Sequence, residues 1–237
     1  MTMDVTVVGG GISGLACARA VQDAGRSVRV LDRGRRVGGR LSSRTIDGRP
    51  VDLGASYFVV GEAEGFAHVV ADWEERELAR PWTDTFQVVD ADGGWTPKPG
   101  PMRWAAPAGL RSLALDLAEG LDVSSERVVE SAAPFRVDGE EAGEVVLAMP
   151  APQAARLTGE APGGAQEWEP VIAVVLRWDR RQWDADLHGA FADGDADVSF
   201  VADDGDRRGD GAPVLVVHTT ADRARQHLDH PESAIAP

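Results

Sequence analysis

The first group of residues able to do chemistry is a set of glycines near the start of the chain. Gly9, Gly11 and Gly14 follow the apolar run of residues 5–8. In a Gly-x-Gly-x-x-Gly motif, the first glycine allows a tight turn and the second lets the backbone approach a pyrophosphate. The third lets a helix pack closely against the sheet. The spacing therefore predicts a bound dinucleotide cofactor, and with it redox chemistry.

The elements that must position these glycines are predicted by the surrounding pattern. Residues 5–8 predict a buried strand, residues 13–24 an amphipathic helix stopped by Gly25, and residues 28–31 a second strand. The positive end of the helix dipole would face the phosphates. Asp32 lies about 20 residues after the glycines, where a carboxylate accepts hydrogen bonds from the adenosine ribose.

The residues after Asp32 distinguish between cofactors. Arg33, Arg35 and Arg36 raise the possibility of a 2′-phosphate and hence of NADP. Because Asp32 would repel such a phosphate, these arginines instead predict a solvated turn.

A second group of chemically competent residues, Gly38, Gly39 and Arg40, precedes the segment 51–58. Adjacent glycines permit close backbone approach, and an arginine suits a diphosphate. On these residues the chain resembles the flavin-dependent amine oxidase superfamily and, within it, the renalase-like branch. Segments 104–110, 145–152 and 214–220 extend that resemblance along most of the chain.

The resemblance implies FAD as the cofactor and a set of residues that contact it. The set combines both glycine groups with the segment that returns towards the isoalloxazine ring. It comprises Gly9, Gly11, Ile12, Ser13, Gly14, Asp32, Arg33, Gly39, Arg40, Leu41, Gly54, Ala55, Ser56 and Tyr57.

The resemblance also implies an activity. A small reduced substrate, either a dihydronicotinamide or an amine, would pass a hydride to FAD, and oxygen would accept the electrons. A flavin dehydrogenase or desaturase that uses another acceptor is the alternative enzyme. Family chains continue beyond the equivalent of Pro237 with a segment that closes over the flavin, and residues 221–237 do not resemble it. We therefore expect a shortened family member, with an inactive truncated flavoprotein as a further alternative.

The predicted fold class is α/β, with a Rossmann-like FAD-binding domain and an inserted mixed-sheet α+β substrate domain. The FAD-binding domain is predicted to comprise residues 1–60 with 106–159. The substrate domain would comprise residues 61–105 with 160–228, and residues 229–237 would form a tail.

Several local elements are predicted within these domains. Residues 62–80 predict an amphipathic helix, and residues 85–96 predict a hairpin that turns at 90–94. The proline-rich residues 97–101 predict a crossing between domains. Residues 203–211 predict an acidic, glycine-rich loop, and the glycines at 163–164 lack the context of a second dinucleotide motif.

The sequence gives few candidates for catalysis beyond the cofactor. The five histidines are scattered, and the cysteine and histidine spacing predicts no metal site. His218 lies in an apolar strand and is the weak catalytic candidate, although a structural role is the commoner one for such a histidine. Cys17 is the only cysteine, which excludes a flavoprotein disulfide reductase and predicts a reducing, cytoplasmic location.

Composition narrows the range of partners. The 237 residues carry 24 Lys plus Arg against 39 Asp plus Glu, a net charge of −15. This acidity predicts no binding to nucleic acid or to anionic membranes. No apolar run approaches the roughly 20 residues of a membrane span, and the first strand begins too early for a signal peptide. The predicted partner is a small-molecule substrate, with molecular oxygen as the acceptor.

Overall fold

In a computed structural model, which describes residues 3–160 and 167–235, most of the predicted strands and helices form close to the expected positions. The strands are β1 (Val5–Val8), β2 (Val28–Leu31), β3 (Ser43–Ile46), β4 (Arg49–Asp52), β5 (Phe58–Val59), β6 (Arg80–Val89), β7 (Trp95–Ala105), β8 (Asp122–Ser124), β9 (Ala132–Ala133), β10 (Arg136–Val137), β11 (Glu140–Glu141), β12 (Glu144–Leu147), β13 (Ala173–Arg177), β14 (Gly189–Ala192), β15 (Val198–Asp203) and β16 (Val214–Thr219). The helices are α1 (Ile12–Asp23), α2 (Glu64–Glu75), α3 (Arg111–Ala118), α4 (Ala151–Thr158), α5 (Asp204–Arg208) and α6 (Ala221–Gln226), with a 3-10 helix at Pro231–Ile235.

The chain divides into two units, and each unit combines two stretches of sequence. The first comprises Met1–Ser42 and Arg111–Glu167, and the second comprises Ser43–Leu110 and Trp168–Pro237. The assignment of an FAD-binding role and a substrate role to separate domains stays a prediction.

The first unit contains a four-stranded parallel sheet in the order β12-β1-β2-β8. Every residue of β1 is buried, because this apolar strand lies between two neighbours and beneath a helix. Ala18 of α1 packs on Val5 and Val7, while Leu15 packs towards Ala114 of α3. The helix begins one residue earlier than predicted. A small antiparallel sheet, β11-β10-β9, completes this unit.

The second unit is built on a seven-stranded mixed sheet in the order β13-β16-β15-β14-β6-β7-β5. Only the β14–β6 pair is parallel. Strands β6 and β7 form the predicted hairpin, whose turn is held by Asp90 accepting hydrogen bonds from the backbone of Asp92 and Gly94. A buried aromatic cluster packs on this sheet. It consists of Trp82, Phe86 and Phe200, with Tyr57 and Phe191 packed against them.

The predicted domain crossing at residues 97–101 is wrong, because these residues lie inside β7. Pro97, Pro99 and Pro101 occupy alternate positions of the strand. The other neighbour of β7 is β5, which pairs only with Arg103 and Trp104. Alternate residues of a strand direct their backbone nitrogens to the same side, so Pro97 and Pro99 can pair with Gln87 and Thr85 of β6. The register with β6 shifts between Pro99 and Arg103.

The predicted helix over residues 62–80 is too long at its carboxyl end. Helix α2 ends at Glu75, and Glu77 has a positive φ of 57° that turns the chain away from the helix. Pro81 favours extended backbone in the residue before it, and β6 accordingly starts at Arg80.

The predicted loop over residues 203–211 is also wrong. Asp203 ends β15, and Asp204–Arg208 form the short helix α5, with four of its five residues buried. Its charges are paired inside the unit, which removes the reason to expect a solvated loop. The glycines at 163–164 lie outside the described residues.

No helix in the described part of the chain has the length and apolar character needed to cross a bilayer.

Gly14 gives a test of the packing between β1 and α1. A Cβ atom there would overlap the carbonyl oxygen of Gly9 and lie 3.0 Å from the Cβ of Ala148. Because the overlap is with backbone, we expect Gly14→Ala to lower the free energy of unfolding by about 1–3 kcal/mol. Urea unfolding measures this.

The matched control for that variant is Gly65→Ala. Gly65 lies in the first turn of α2, with no atom within 4 Å of an added Cβ. We expect it to raise stability by roughly 0.5–1 kcal/mol. Equal stability of the two variants would contradict the close packing at Gly14.

Candidate functional site

The turn between β1 and α1 places the first glycine group beside Asp32. Gly9 has a positive φ of 111°, which leads the chain out of β1. The backbone nitrogen of Gly10 donates a hydrogen bond to Oδ2 of Asp32 at 2.6 Å. The predicted strand, turn, helix, strand and acid thus form one connected structure within the first unit.

Gly9 and Gly14 are required by the packing of the protein, whereas Gly11 is not. A Cβ on Gly9 would lie 2.5 Å from the carbonyl oxygen of Ala148, and one on Gly14 would overlap Gly9. A Cβ on Gly11 would meet no atom within 4 Å, and its φ of −75° suits any residue. The protein's own atoms therefore leave space at the position where the motif brings a pyrophosphate close to the backbone.

The second glycine group lies directly against this space. Gly38 forms a parallel bridge with Gly11, and its nitrogen donates to the carbonyl of Gly10 at 2.8 Å. A Cβ on Gly39 would approach the Cα of Gly11 to 3.3 Å. Arg40 follows with an exposed side chain. Both groups therefore meet at one place in the first unit, as their shared chemistry predicts.

The N-terminus of α1 borders the same space. Gly11 is the N-cap residue and provides no side-chain hydrogen bond, and the first turn contains no acidic residue. The early N–H groups of a helix lack intrahelical partners and carry the positive end of its dipole. Ile12 and Ser13 are the first helical residues, and Ser13 is exposed. The arrangement suits a bound phosphate.

Asp32 has a structural task that the sequence did not predict. Its second oxygen, Oδ1, accepts a hydrogen bond from the nitrogen of Gly34 at 2.7 Å, while Arg33 is exposed beside it. Each carboxylate oxygen can accept two hydrogen bonds, so Asp32 can hold both loops and still accept from a hydroxyl group. The predicted contact with ribose stays a prediction.

Four of the predicted cofactor contacts belong to the second unit. Gly54, Ala55, Ser56 and Tyr57 follow the end of β4. The Oγ atom of Ser56 is buried and has no hydrogen-bond partner among the described residues. Its carbonyl oxygen accepts a hydrogen bond from Nη1 of Arg207 at 2.9 Å.

The segment before Ser56 is anchored by a buried charge cluster that the sequence analysis missed. We use "charge cluster" for Arg49, Asp52, Asp204, Arg207 and Arg208. Asp204 pairs with all three arginines, and Arg208 also lies 3.3 Å from Asp52. Oδ1 of Asp52 further accepts a hydrogen bond from the nitrogen of Leu110 at 3.0 Å.

A local signal for this cluster was present in the sequence. Asp203 accepts a hydrogen bond from the nitrogen of Asp206 and caps α5. Asp204 precedes Arg207 and Arg208 by three and four residues, the spacing that places opposite charges together on a helix. Capping and pairing together indicate a helix rather than a loop.

Burial and pairing act in opposite directions on Asp204. Burial alone would raise the pKa of its carboxyl group, but the positive charges of Arg207 and Arg208 hold that pKa below its ordinary value of 3.8. Asp204 is therefore ionised at neutral pH, although its side chain is fully buried.

His218 lies in β16 with its ring 5.7 Å from Phe200. Its Nε2 atom is buried and has no hydrogen-bond partner among the described residues. Burial, and the charge of Arg207, lower the pKa of His218 below its ordinary value of 6.5. The imidazole is thus neutral at pH 7 and has a free polar atom, which a purely structural histidine would usually satisfy.

Comparison with known families accounts for most of the chain. The family described as "Flavin containing amine oxidoreductase" matches residues 65–236. The family described as "NAD(P)-binding Rossmann-like domain" matches residues 7–73, in agreement with the predicted nucleotide-binding fold.

Individual relatives align over short segments. The carotenoid 3,4-desaturase of Haloarcula japonica is 46% identical over 57 residues, which are 24% of this chain and 12% of that protein. The putrescine oxidase of Kocuria rosea is 44% identical over 66 residues, 28% of this chain and 14% of that protein. The alignments thus span a small part of these relatives' length.

Solved structures of low sequence identity share the fold. Wild-type putrescine oxidase bound to putrescine has a TM-score of 0.73 at 18% identity, over 99% of this chain and 80% of that one. A putative protoporphyrinogen oxidase from Exiguobacterium sp. 255-15 has a TM-score of 0.68 at 15% identity, over 92% and 77%. The mixed α/β architecture predicted from the sequence is confirmed.

The charge cluster gives a test with a defined pH dependence. We expect Asp204→Asn to lower the free energy of unfolding at pH 7 by about 3–5 kcal/mol, because it leaves buried arginines without a counter-charge. A carboxyl group whose folded pKa lies below 3.8 stabilises the fold above that pH, and the contribution is lost as the pH falls through the folded value. The variant should therefore lose less further stability than the parent below pH 3.8. Urea unfolding at pH 7 and at pH 3 measures both effects.

Asp222→Asn is the control for this experiment. Asp222 pairs with Arg225, but its side chain is 83% exposed. We expect a change within about 0.5 kcal/mol. If Asp204→Asn costs no more than Asp222→Asn, the charge cluster does not stabilise the second unit.

Proposed function

The chain belongs to the family of flavin containing amine oxidoreductases, and we propose that it binds FAD and oxidises a small amine or dihydronicotinamide with oxygen as the acceptor. Membership confirms the predicted superfamily. The family match and the putrescine oxidase neighbours imply FAD as the cofactor. The renalase-like branch stays a prediction.

The observation that carries the proposal is the space at Gly11. Packing inside the protein explains why Gly9 and Gly14 are glycines, but it does not explain Gly11. A ligand that approaches the backbone does explain it. The uncapped end of α1 and the adjacent Gly39 surround the same space, so the residues present fit the pyrophosphate of a dinucleotide.

Different residues of the first unit would bind different parts of the cofactor. The N–H groups at the start of α1, with Arg40, would hold the pyrophosphate, and Asp32 would accept hydrogen bonds from the adenosine ribose. Gly54, Ala55, Ser56 and Tyr57 remain the proposed contacts at the flavin end. When bound, FAD supplies an acceptor for a hydride from the substrate and passes the electrons on to oxygen.

The second unit contributes one candidate for proton transfer. His218 is neutral at pH 7, and its Nε2 has no hydrogen-bond partner in the described part of the chain. An amine gives up a hydride only after its ammonium form has lost a proton. A neutral imidazole can accept that proton. We propose this role for His218 at a substrate site in the second unit.

One alternative is kept because a relative points to it. The carotenoid 3,4-desaturase of Haloarcula japonica aligns over 57 residues, which favours a flavin desaturase or dehydrogenase with another electron acceptor. Release of hydrogen peroxide distinguishes the oxidase from this alternative. A cytoplasmic location, and the absence of nucleic-acid and membrane partners, stay predictions from composition.

The experiment that tests the proposal is the visible absorbance spectrum of the purified chain, recorded before and after addition of FAD and desalting. Flavin bands that survive desalting support it and justify a screen of amines and dihydronicotinamides for peroxide release. A colourless protein that retains no added FAD would contradict it and would favour the alternative of an inactive flavoprotein remnant.

Gly11→Val tests the space itself. The added side chain meets no protein atom within 4 Å at its Cβ, so we expect the free energy of unfolding to change by no more than about 1 kcal/mol, the usual cost of a poor N-cap residue. Flavin retention should fall at least tenfold, because the side chain fills the pyrophosphate position. Absorbance after desalting and urea unfolding measure the two quantities.

Gly65→Val is the matched control, since Gly65 is also open but lies in α2 and is not one of the proposed cofactor contacts. It should retain flavin like the parent. If Gly11→Val retained as much flavin as Gly65→Val, the assignment of the phosphate site would be wrong.

A further inference from the structure

A buried arginine without a counter-charge lies against the aromatic cluster of the second unit. Arg103, in β7, is 8% exposed. Its guanidinium carbon lies 3.9 Å from the ring centre of Phe86 and 5.6 Å from that of Tyr57. Its Nε and Nη1 atoms are buried and have no hydrogen-bond partner, and it forms no ion pair with any carboxylate among the described residues. The cation is therefore surrounded by rings and left with unsatisfied donors.

This arrangement is costly for a protein that contains no ligand. The guanidinium group of an arginine carries a positive charge, and that of Arg103 is buried inside the unit. Aromatic faces attract a cation, but they provide no acceptor for its N–H groups. A buried charge is usually paired, because burial without a partner costs free energy that pairing recovers.

The other buried arginines of this unit follow that rule. Arg207 and Arg208 both pair with Asp204, and Arg208 also lies 3.3 Å from Asp52. The same unit thus supplies carboxylates to two buried guanidinium groups and none to Arg103. No carboxylate among the described residues fills this role for Arg103.

A second unsatisfied polar group borders the same aromatic cluster. The ring of Phe200 lies 5.5 Å from that of Phe86 and 5.7 Å from that of His218, whose Nε2 has no partner. The cluster therefore carries a free cation at Arg103 and a free neutral nitrogen at His218. Both groups are able to hydrogen-bond to a polar ligand, and the aromatic rings beside them favour one that also has an apolar part.

We propose that Arg103 binds the carboxylate of a small substrate with an apolar or aromatic body. The proposal rests on the proposed function, because it names the substrate class of that oxidoreductase as amines that carry a carboxylate. A planar carboxylate matches the donor geometry of a guanidinium group. A diamine without an anion would leave Arg103 unpaired and would add a second positive charge.

Binding of simple probes to the purified full chain tests the charge requirement. Isothermal titration calorimetry would compare benzoate with benzamide, its uncharged analogue, and with benzylamine, its cationic analogue. We expect benzoate to bind at least tenfold more tightly than either. Equal affinities for benzoate and benzamide would overturn the proposal, as would tighter binding of benzylamine. Phenyl phosphate tests the other common oxyanion. If it binds tenfold more tightly than benzoate, the proposal of a carboxylate ligand is overturned in favour of a phosphate ligand.

Substitutions assign the binding to Arg103. Arg103→Met should lower benzoate affinity at least tenfold, whereas Arg103→Lys, which keeps the charge without the planar fork, should lower it less. The control is Arg44→Met, since Arg44 is exposed in β3, and it should bind benzoate like the parent. Benzoate binding that is unchanged in Arg103→Met would overturn the proposal. If that variant fails to fold, the affinities of Arg103→Lys and the probe series still decide.

Thermal melting separates a ligand-binding role from a structural one. Because Arg103→Met removes an unpaired buried charge, its melting temperature without ligand should equal or exceed that of the parent. Benzoate should raise the melting temperature of the parent but not of the variant. A variant that melts several degrees lower yet keeps the benzoate shift would show that Arg103 is structural.

The flavin spectrum of the same samples distinguishes failure of this proposal from failure of the proposed function. A colourless chain that binds benzoate through Arg103 would contradict FAD binding and leave the carboxylate site standing. A flavin-containing chain that does not bind benzoate would overturn the carboxylate site alone.

Discussion

The close approach of backbone to backbone at the end of β1 is the constraint on which the first unit depends. The chain must leave the strand, begin a helix and remain within reach of Asp32 over six residues. Gly9 and Gly14 have no side chain because carbonyl groups occupy the places where their Cβ atoms would lie. The hydrogen bond from Gly10 to Asp32 then joins the turn to the end of β2. What remains is one open position, at Gly11, and this is where we propose that the pyrophosphate binds.

Electrostatics organises the second unit in two contrasting ways. In the charge cluster, Asp204 is fully buried and stays ionised because three arginines surround it. These pairs hold α5 against the segment that precedes Ser56 and so fix the backbone there. At Arg103 the unit leaves a buried charge unpaired beside aromatic rings. A buried charge with carboxylate partners indicates a structural role, and a buried charge without one indicates a place for an anion to bind.

The parts of this structure that were predictable from sequence are those decided by neighbouring residues. The strand at 5–8, the turn at Gly9 and the acid at Asp32 follow from a local pattern of apolar residues and glycines, and the structure has them where expected. The hairpin around Asp90 is equally local.

The failures concern residues whose surroundings come from distant parts of the chain. Residues 203–211 have the composition of a solvated loop. Their burial is possible because they pair with Arg49 and Asp52, which lie about 150 residues earlier in the sequence. The burial of Arg103 likewise depends on Phe86 and Tyr57 from other elements, and its short surrounding sequence does not distinguish it from the exposed Arg44. The spacing of Asp204 with Arg207 and Arg208 indicates the helix α5, but neither its burial nor that of Arg103 leaves a sequence signal.

The prolines of β7 have a consequence for how the chain behaves at high concentration. An exposed strand edge can recruit a strand from another molecule and so start aggregation. Pro97, Pro99 and Pro101 remove the N–H donors from alternate positions along an edge that β5 leaves uncovered. A second strand laid along these residues would find acceptors but no matching donors. The longest strand of the second unit therefore resists intermolecular β-sheet growth by its own composition.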